Sequence, residues 1–318
     1  MTGRVTAASG GWYRRRMSNR LLSVDPLWPR AGDWPPLDTL SDERVDVALL
    51  GIPTYRTSLS QTGANETPAA VRAALRYYSP FLPGLEGERL QFADAGDVHE
   101  PDGPEGEGRA IAAMADAVAR ASVTVAVGGD NALTVPAALG AWGDDLPSAG
   151  LITLDAHHDL RDGVSNGSPV RRLLEAGLDG RRVVQIGIAD FANSEAYTER
   201  AAEYGITVVH RDELHRRSID DVMTEALRIA GAGGGPVHVD LDVDVCDRSV
   251  APGCPASVPG GIAAWELRRF ARLAGAAEAV RSVDIAEVDA TADTADARTV
   301  RLAALLVLEI AAGVAGLR

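Results

Sequence analysis

Acids and histidines recur in this chain at spacings that suit a metal centre. The run Asp155-Ala156-His157-His158-Asp159 follows the apolar stretch GLITL. In extended geometry residues 155, 157 and 159 share one face, so two carboxylates and an imidazole converge. The stretch 237–245 alternates strictly: Val237, Val239, Leu241, Val243 and Val245 lie on one face, His238, Asp240, Asp242 and Asp244 on the other. Three acids on one strand face repel each other unless a cation lies among them. An oxygen-rich, nitrogen-poor set suits Mn²⁺, Mg²⁺ or Ca²⁺ better than Zn²⁺. The competing reading is the solvent side of an edge strand. Interior parallel strands are normally apolar on both faces, and the pairing with DAHHD favours the metal. Two more apolar runs end in candidate groups: one in Gly128-Gly129-Asp130-Asn131, the other in Asp284-Ile285-Ala286-Glu287. The paired glycines predict a tight strand-to-helix turn.

Such residues need a scaffold that brings strand ends together. Short apolar runs predict strands at 45–51, 123–129, 150–155, 182–188, 206–210, 236–244 and 281–288, with a weaker one at 90–94. Amphipathic stretches lie between them, near 108–121, 132–140, 193–204, 218–231, 263–274 and 296–314. Thr67-Pro68 and Ser168-Pro169 each read as an N-cap followed by a helix-opening proline, and Gly177 as a helix stop. This alternation predicts a three-layer α/β/α fold with a mostly parallel sheet of about eight strands. In such sheets ligands bind beyond the carboxyl ends of the strands, where all four motifs fall. Residues 1–43, rich in Trp, Pro, Arg and Asp, read as an irregular arm, and 44–318 as one catalytic domain. GAGGG at 231–235 reads as a tight helix-to-strand connection.

GGDN, DAHHD, DLDVD with the following APG and PGG, and DIAEVD resemble, in order and spacing, the motifs of the arginase/agmatinase/formimidoylglutamase (ureohydrolase) family. LLGIPTYRTSLSQTGANETPAAVR is similar to that family's first strand, loop and helix. The resemblance covers about residues 45–316. It implies the arginase/deacetylase-like fold, trimeric or hexameric assembly, and two Mn²⁺ ions per subunit with a bridging hydroxide that attacks an amidine or guanidine carbon. It further implies one metal at Asp155, His157, Asp242 and Asp244, and another at Asp155, Asp159 and Asp242. Asp159 would orient the hydroxide, and Glu287 would pair with the substrate's cationic C–N group.

Two positions depart from the family pattern. Asn131 stands where the family's GGDH motif supplies a histidine to the second metal. An amide oxygen is a weaker donor, so this metal is expected to be the weaker. Asn166 stands where arginases and agmatinases carry a proton-shuttling histidine, and an asparagine cannot titrate. The short S-x-G-S-P loop (165–169), APGCPA (251–256) and RTVRLAA (298–304) are similar to the formimidoylglutamase branch. That branch implies N-formimidoyl-L-glutamate as substrate, hydrolysed to L-glutamate and formamide in histidine catabolism. Asn166 and Ser168 are candidate substrate contacts, and Arg161 a partner for the substrate carboxylates ahead of Arg171 and Arg172. Against this, Arg161 could simply pair with Asp162. An agmatinase or other guanidino-acid hydrolase releasing urea is the second reading. A metal-poor homologue serving as a binding or assembly subunit, suggested by Asn131 and Asn166, is the third.

The remaining candidates have plainer readings. His158 points away from the metals by alternation and reads as a packed, hydrogen-bonded residue. His238 lies roughly 20 Å along the strand from Asp244, too far to be a ligand. Asp240 reads as support for the ligands or a helix contact. His99, His210 and His215 read as surface or capping groups, and Cys246 and Cys254 as small packing residues. The chain of 318 residues carries 31 basic and 45 acidic side chains, a formal charge of −14. That balance opposes a phosphate-tracking nucleic-acid binder, and Arg14-Arg15-Arg16 is the one basic cluster. No apolar run is long enough to span a membrane. A cytoplasmic protein with a small amidine or guanidine substrate is expected.

Overall fold

The computed structural model describes residues 22–40, 44–83 and 90–316. Among them, strands β1 (Val45–Ile52), β2 (Phe92–Asp97), β3 (Ala121–Gly128), β4 (Gly150–Leu154), β5 (Val183–Ile188), β6 (Thr207–His210), β7 (Val237–Asp242) and β8 (Val280–Ala286) form one sheet. Its order is β2-β1-β3-β8-β7-β4-β5-β6, and all the pairings are parallel. Helices α1 (Thr67–Leu75), α2 (Gly106–Arg120), α3 (Thr134–Trp142), α4 (Pro169–Ala176), α5 (Glu195–Glu203), α6 (Ile219–Ala230), α7 (Ala264–Gly275) and α8 (Arg298–Ala315) complete the three layers. Apolar side chains of α1, α6, α7 and α8 bury one sheet face together with Val239, Leu241 and Val283. Helices α2, α3, α4 and α5 cover the other. No helix among the described residues is long and apolar enough to cross a membrane. Of the arm expected at 1–43, residues 22–40 hold a single 3₁₀ turn, Leu37–Thr39, and a bridge from Pro36 to Asp94. Arg14–Arg16 lie outside the described residues.

The alternating strand β7 is interior, between β8 and β4, and all of its residues are buried. A solvent-facing edge is thus excluded. Its polar face lies under α3, where Trp142 meets His238 edge-on. There His238 bonds Ser282 at 2.7 Å and Asp284 at 2.9 Å, and Asp240 pairs in register with Asp284. Burial and the neighbouring Asp284 hold Asp240 well above the usual carboxylate range. Both residues therefore serve the sheet, one pleat below the ligand candidates.

Two local expectations need correction. Thr67 is the first residue of α1 rather than its cap, because a 3₁₀ turn at Ala64–Glu66 runs straight into the helix; its hydroxyl donates to the Val288 carbonyl instead. Ser168 precedes Pro169 as expected but makes no side-chain cap: its hydroxyl donates to Ser165 O and accepts from Ser165 N. The tight strand-to-helix turn expected at Gly128-Gly129 is present, with β3 ending at Gly128 and a 3₁₀ turn opening at Asn131, and both glycines are needed there for space. A Cβ on Gly129 would lie 2.1 Å from the Thr54 carbonyl oxygen, and one on Gly128 would meet Leu133. Gly177, at φ +119°, is the helix stop anticipated.

Candidate metal centre

Beyond the ends of β4, β7, β8 and β3 the four motifs come together. β4 stops at Leu154, and residues 155–161 form an irregular turn rather than an extended continuation. The convergence of Asp155 and His157 therefore comes from the turn: Asp155 Oδ1 accepts the His157 amide at 2.6 Å. Likewise the alternation of β7 ends at Asp242, whose Oδ1 accepts the amide of Asp244 at 2.8 Å and opens a 3₁₀ turn. Asp244 Oδ1 then accepts the Ala156 amide at 2.9 Å, tying the two loops together. Ligand atoms of Asp155, His157 and Asp244 all lie within 4.8 Å of one another. His157 Nδ1 is 2.7 Å from Asp244 and 3.4 Å from Asp155.

Asp159 and Glu287 reach the centre by unusual backbone. Their φ values are +54° and +60°, in the left-handed region that costs a non-glycine residue about 1 kcal/mol. In both, the side chain is held by amides. Asn131 Nδ2 donates to Asp159 at 2.6 Å, while the Asn131 backbone amide (2.9 Å) and Asn166 Nδ2 (2.8 Å) both donate to Glu287 Oε1. Asn131 thus turns its nitrogen to Asp159, and its oxygen accepts from Thr134 at 2.6 Å. Asn166 Oδ1 accepts the amide of Leu59, which fastens the 57–63 loop over the site.

Electrostatics test whether a cation fits. Burial raises Asp155 to about 7 and holds Asp159, Asp242 and Glu287 above their ordinary values, with Asp244 adding repulsion. Burial opposes the His157 imidazolium, but Asp244 and Asp155 outweigh it and push His157 up to about 12. So many buried carboxyl groups cannot ionise together without positive charge, and His157 supplies the only such charge in the cluster of three. Hard oxygen donors plus one imidazole suit a divalent cation that displaces those protons.

A pH dependence follows. Groups with raised native pKa bind more protons folded than unfolded, so their stabilisation is complete below the unfolded value near 4 and lost as pH rises through about 7 for Asp155. Half-buried acids held low, Asp179 by Arg181 and Asp247 by the Ser249 hydroxyl, act below pH 4 and leave this window alone. The metal-free protein should therefore melt at progressively lower temperature between pH 5 and pH 8, by calorimetry. A melting temperature that climbs over that range would contradict the account.

A cavity of about 280 Å³ opens onto these groups. Its acids, Asp159, Asp242, Asp244 and Glu287, all sit at the centre, and the outer wall offers Arg161, Ser60, Asn193, Ser194 and Tyr197. Larger clefts lie elsewhere, one of about 560 Å³ between helices and one of about 670 Å³ beside the edge strand β2, where Arg72, Arg269 and Arg272 are already paired with acids. Arg161 and Asn166 line the small cavity; Ser168 does not, because its hydroxyl closes the 165–168 turn and is fully buried. Arg171 is spent on Arg161 O, Gly163 O and Glu175, and Arg172 clasps Glu107 with both carboxylate oxygens. Asp162, the anticipated partner of Arg161, pairs with Arg200.

Sequence reasoning missed Asn193 and Gln185. Asn193 brackets His157 across 35 residues of chain, and Gln185 bonds both the ring and the carbonyl of His158. The only local signal was a glutamine inside an otherwise apolar strand. His158 is packed away from the ligands as expected. Cys246 and Cys254 are buried thiols, and His99, His210 and His215 are exposed.

The arginase-family profile matches residues 45–313. The formimidoylglutamase of Halalkalibacterium halodurans is 33% identical over 261 residues, covering 78% of this chain and 82% of that protein. The solved formimidoylglutamase of Bacillus subtilis superposes with a TM-score of 0.83 at 28% identity, over 93% of this chain and 95% of that one. A manganese-containing formiminoglutamase of Trypanosoma cruzi gives a TM-score of 0.77 at 25% identity, over 89% and 99% of the two chains. With a profile match over most of its length and the sheet, strand-end acids and turns just described, this chain belongs to the arginase family.

Proposed function

We propose that the protein is a manganese-dependent formimidoylglutamase, converting N-formimidoyl-L-glutamate and water to L-glutamate and formamide. One observation carries the choice of substrate: every acid in the cavity sits at its centre, while the outer wall presents Arg161 and neutral polar groups. Such a wall suits carboxylates and gives a distal ammonium no partner. Asp155, His157, Asp242 and Asp244 would hold one Mn²⁺, and Asp155, Asp159 and Asp242 the second; Asn131, expected as a weak donor to it, has its oxygen on Thr134 and its nitrogen on Asp159, so it would steady Asp159 rather than ligate. Bound there, the metal pair would make water a nucleophile at neutral pH.

The chain's own residues do the rest. Glu287, anchored through Oε1 by two amides, directs its charge at the cationic C–N group of the substrate and so sets the electrophilic carbon beside the water. Asp159 orients that water and passes its proton toward the departing glutamate nitrogen, since Asn166 carries none to give. The strained backbone at both acids keeps them aimed inward. Arg161 holds a substrate carboxylate at the mouth. Assembly as a trimer or hexamer belongs to the same reading.

Side-by-side assays of formimidoylglutamate, agmatine, guanidinobutyrate and arginine in Mn²⁺ test it. Formamide from the first at the highest kcat/KM is expected; urea from agmatine without formamide would sink the proposal. A guanidino acid would satisfy the same wall, so urea from guanidinobutyrate alone would select that second reading. Arg161→Met should raise KM for formimidoylglutamate about 10- to 100-fold, the loss of one charged hydrogen bond, and leave kcat within a few-fold. An unchanged KM would remove Arg161 from the site.

A further inference from the structure

Asp155 and Asp244 are fixed by burial; His157 is not. Their side chains are 1% exposed, whereas that of His157 is 30% exposed, lines the cavity and meets those two carboxylates. The backbone on either side of it is tightly held. One side chain grips that backbone on both sides. Asn193 Oδ1 accepts the amide of His158 at 2.9 Å, while Asn193 Nδ2 donates to the carbonyl of Ala156 at 2.8 Å and to that of Ala189 at 3.2 Å. The Ala156 carbonyl also accepts the Ala189 amide at 3.0 Å, so residues 156–158 are stitched to the loop that follows β5. From the sheet side Gln185 holds His158 by its ring (2.7 Å) and by its carbonyl (2.8 Å). The same loop carries Phe191 at φ +63° and leads into α5 through Ser194, whose hydroxyl caps that helix.

We propose that Asn193 is a positioning residue that sets His157 for metal through its two flanking peptide groups and joins that setting to the cavity wall. It rests on the assignment of His157 as a metal ligand. Because Asn193 also lines the cavity, a substrate pressing on residues 192–197 acts on the residue that aims the ligand. Groups that orient a ligand histidine typically carry about 10- to 100-fold of metal affinity.

The test is a calorimetric Mn²⁺ titration of the metal-free full chain, joined to kinetics at limiting and saturating Mn²⁺. Asn193→Ala should weaken Mn²⁺ binding about 10- to 100-fold, lower kcat at limiting metal, and recover most of that kcat at saturating metal. If Asn193→Ala does not fold, Asn193→Ser, too short to span both peptide groups, should weaken binding in the same direction. Unchanged Mn²⁺ affinity with a raised KM would make Asn193 a substrate contact and overturn the proposal. A lower melting temperature with unchanged affinity would make it merely structural, also overturning it. If the wild-type chain binds no Mn²⁺, the metal assignment itself fails, a result distinct from either.

Discussion

Asp242→Ala should lower kcat/KM by on the order of 10³-fold or more and leave the protein with less than one tightly bound Mn²⁺. The expectation exceeds the 10- to 100-fold cost of losing an outer partner, because Asp242 is assigned to both metal positions and its removal disables the pair. Asp242 is 2% exposed and held at the end of β7 by the Asp244 amide. Its carboxyl is kept above the ordinary range by burial and by Asp244. Deleting it should also relieve repulsion, so at pH 8 the metal-free variant should be no less stable than metal-free wild type. Metal analysis, turnover and melting measured together check this. Full activity in the variant would end the metal-hydrolase account, whatever its stability.

Glu287→Gln separates substrate activation from metal binding. Glutamine keeps the shape and can still accept from the Asn131 amide and from Asn166 through its carbonyl oxygen, so the loops stay in place. It removes the charge that faces the substrate's cationic C–N group. A single preorganised electrostatic partner is typically worth about 2.7–4 kcal/mol, so kcat/KM should fall about 10²- to 10³-fold. Mn²⁺ affinity should change only a few-fold, because Glu287 is assigned to substrate. Parallel loss of metal would place Glu287 among the ligands, and unimpaired turnover would remove its assigned role.

Much of the fold was legible because its signals are local. Apolar runs of strand length separated by amphipathic stretches specify βαβ units, and each predicted run overlaps an observed strand, including the weak one at 90–94, which runs over Phe92–Asp97. Strand-end acids were legible for the same reason: a carboxylate at the end of a buried strand has few other uses. The mistakes concern how those acids converge. Extended alternation would bring residues 155, 157 and 159 together, yet the strand stops at Leu154 and a turn closed by Asp155 Oδ1 does the work.

The composition and motif spacing were enough to establish a parallel α/β chain with a cluster of acids that calls for a divalent cation, since burial of several carboxylates is costly in any fold. Side-chain partners across the sheet were another matter. That Ser168 turns inward, that Arg172 is taken by Glu107, that Asn131 offers its nitrogen to Asp159, and that Asn193 grips the backbone around His157 all depend on groups distant along the chain meeting in space. Hydrogen bonds are short and directional, so a shift of about an ångström makes or breaks them, and no periodicity encodes it. Hydrophobic burial, which builds the layers, tolerates such shifts. The scaffold and the demand for metal are therefore written in residue types, whereas which polar side chain serves the cavity and which serves the frame is settled by packing.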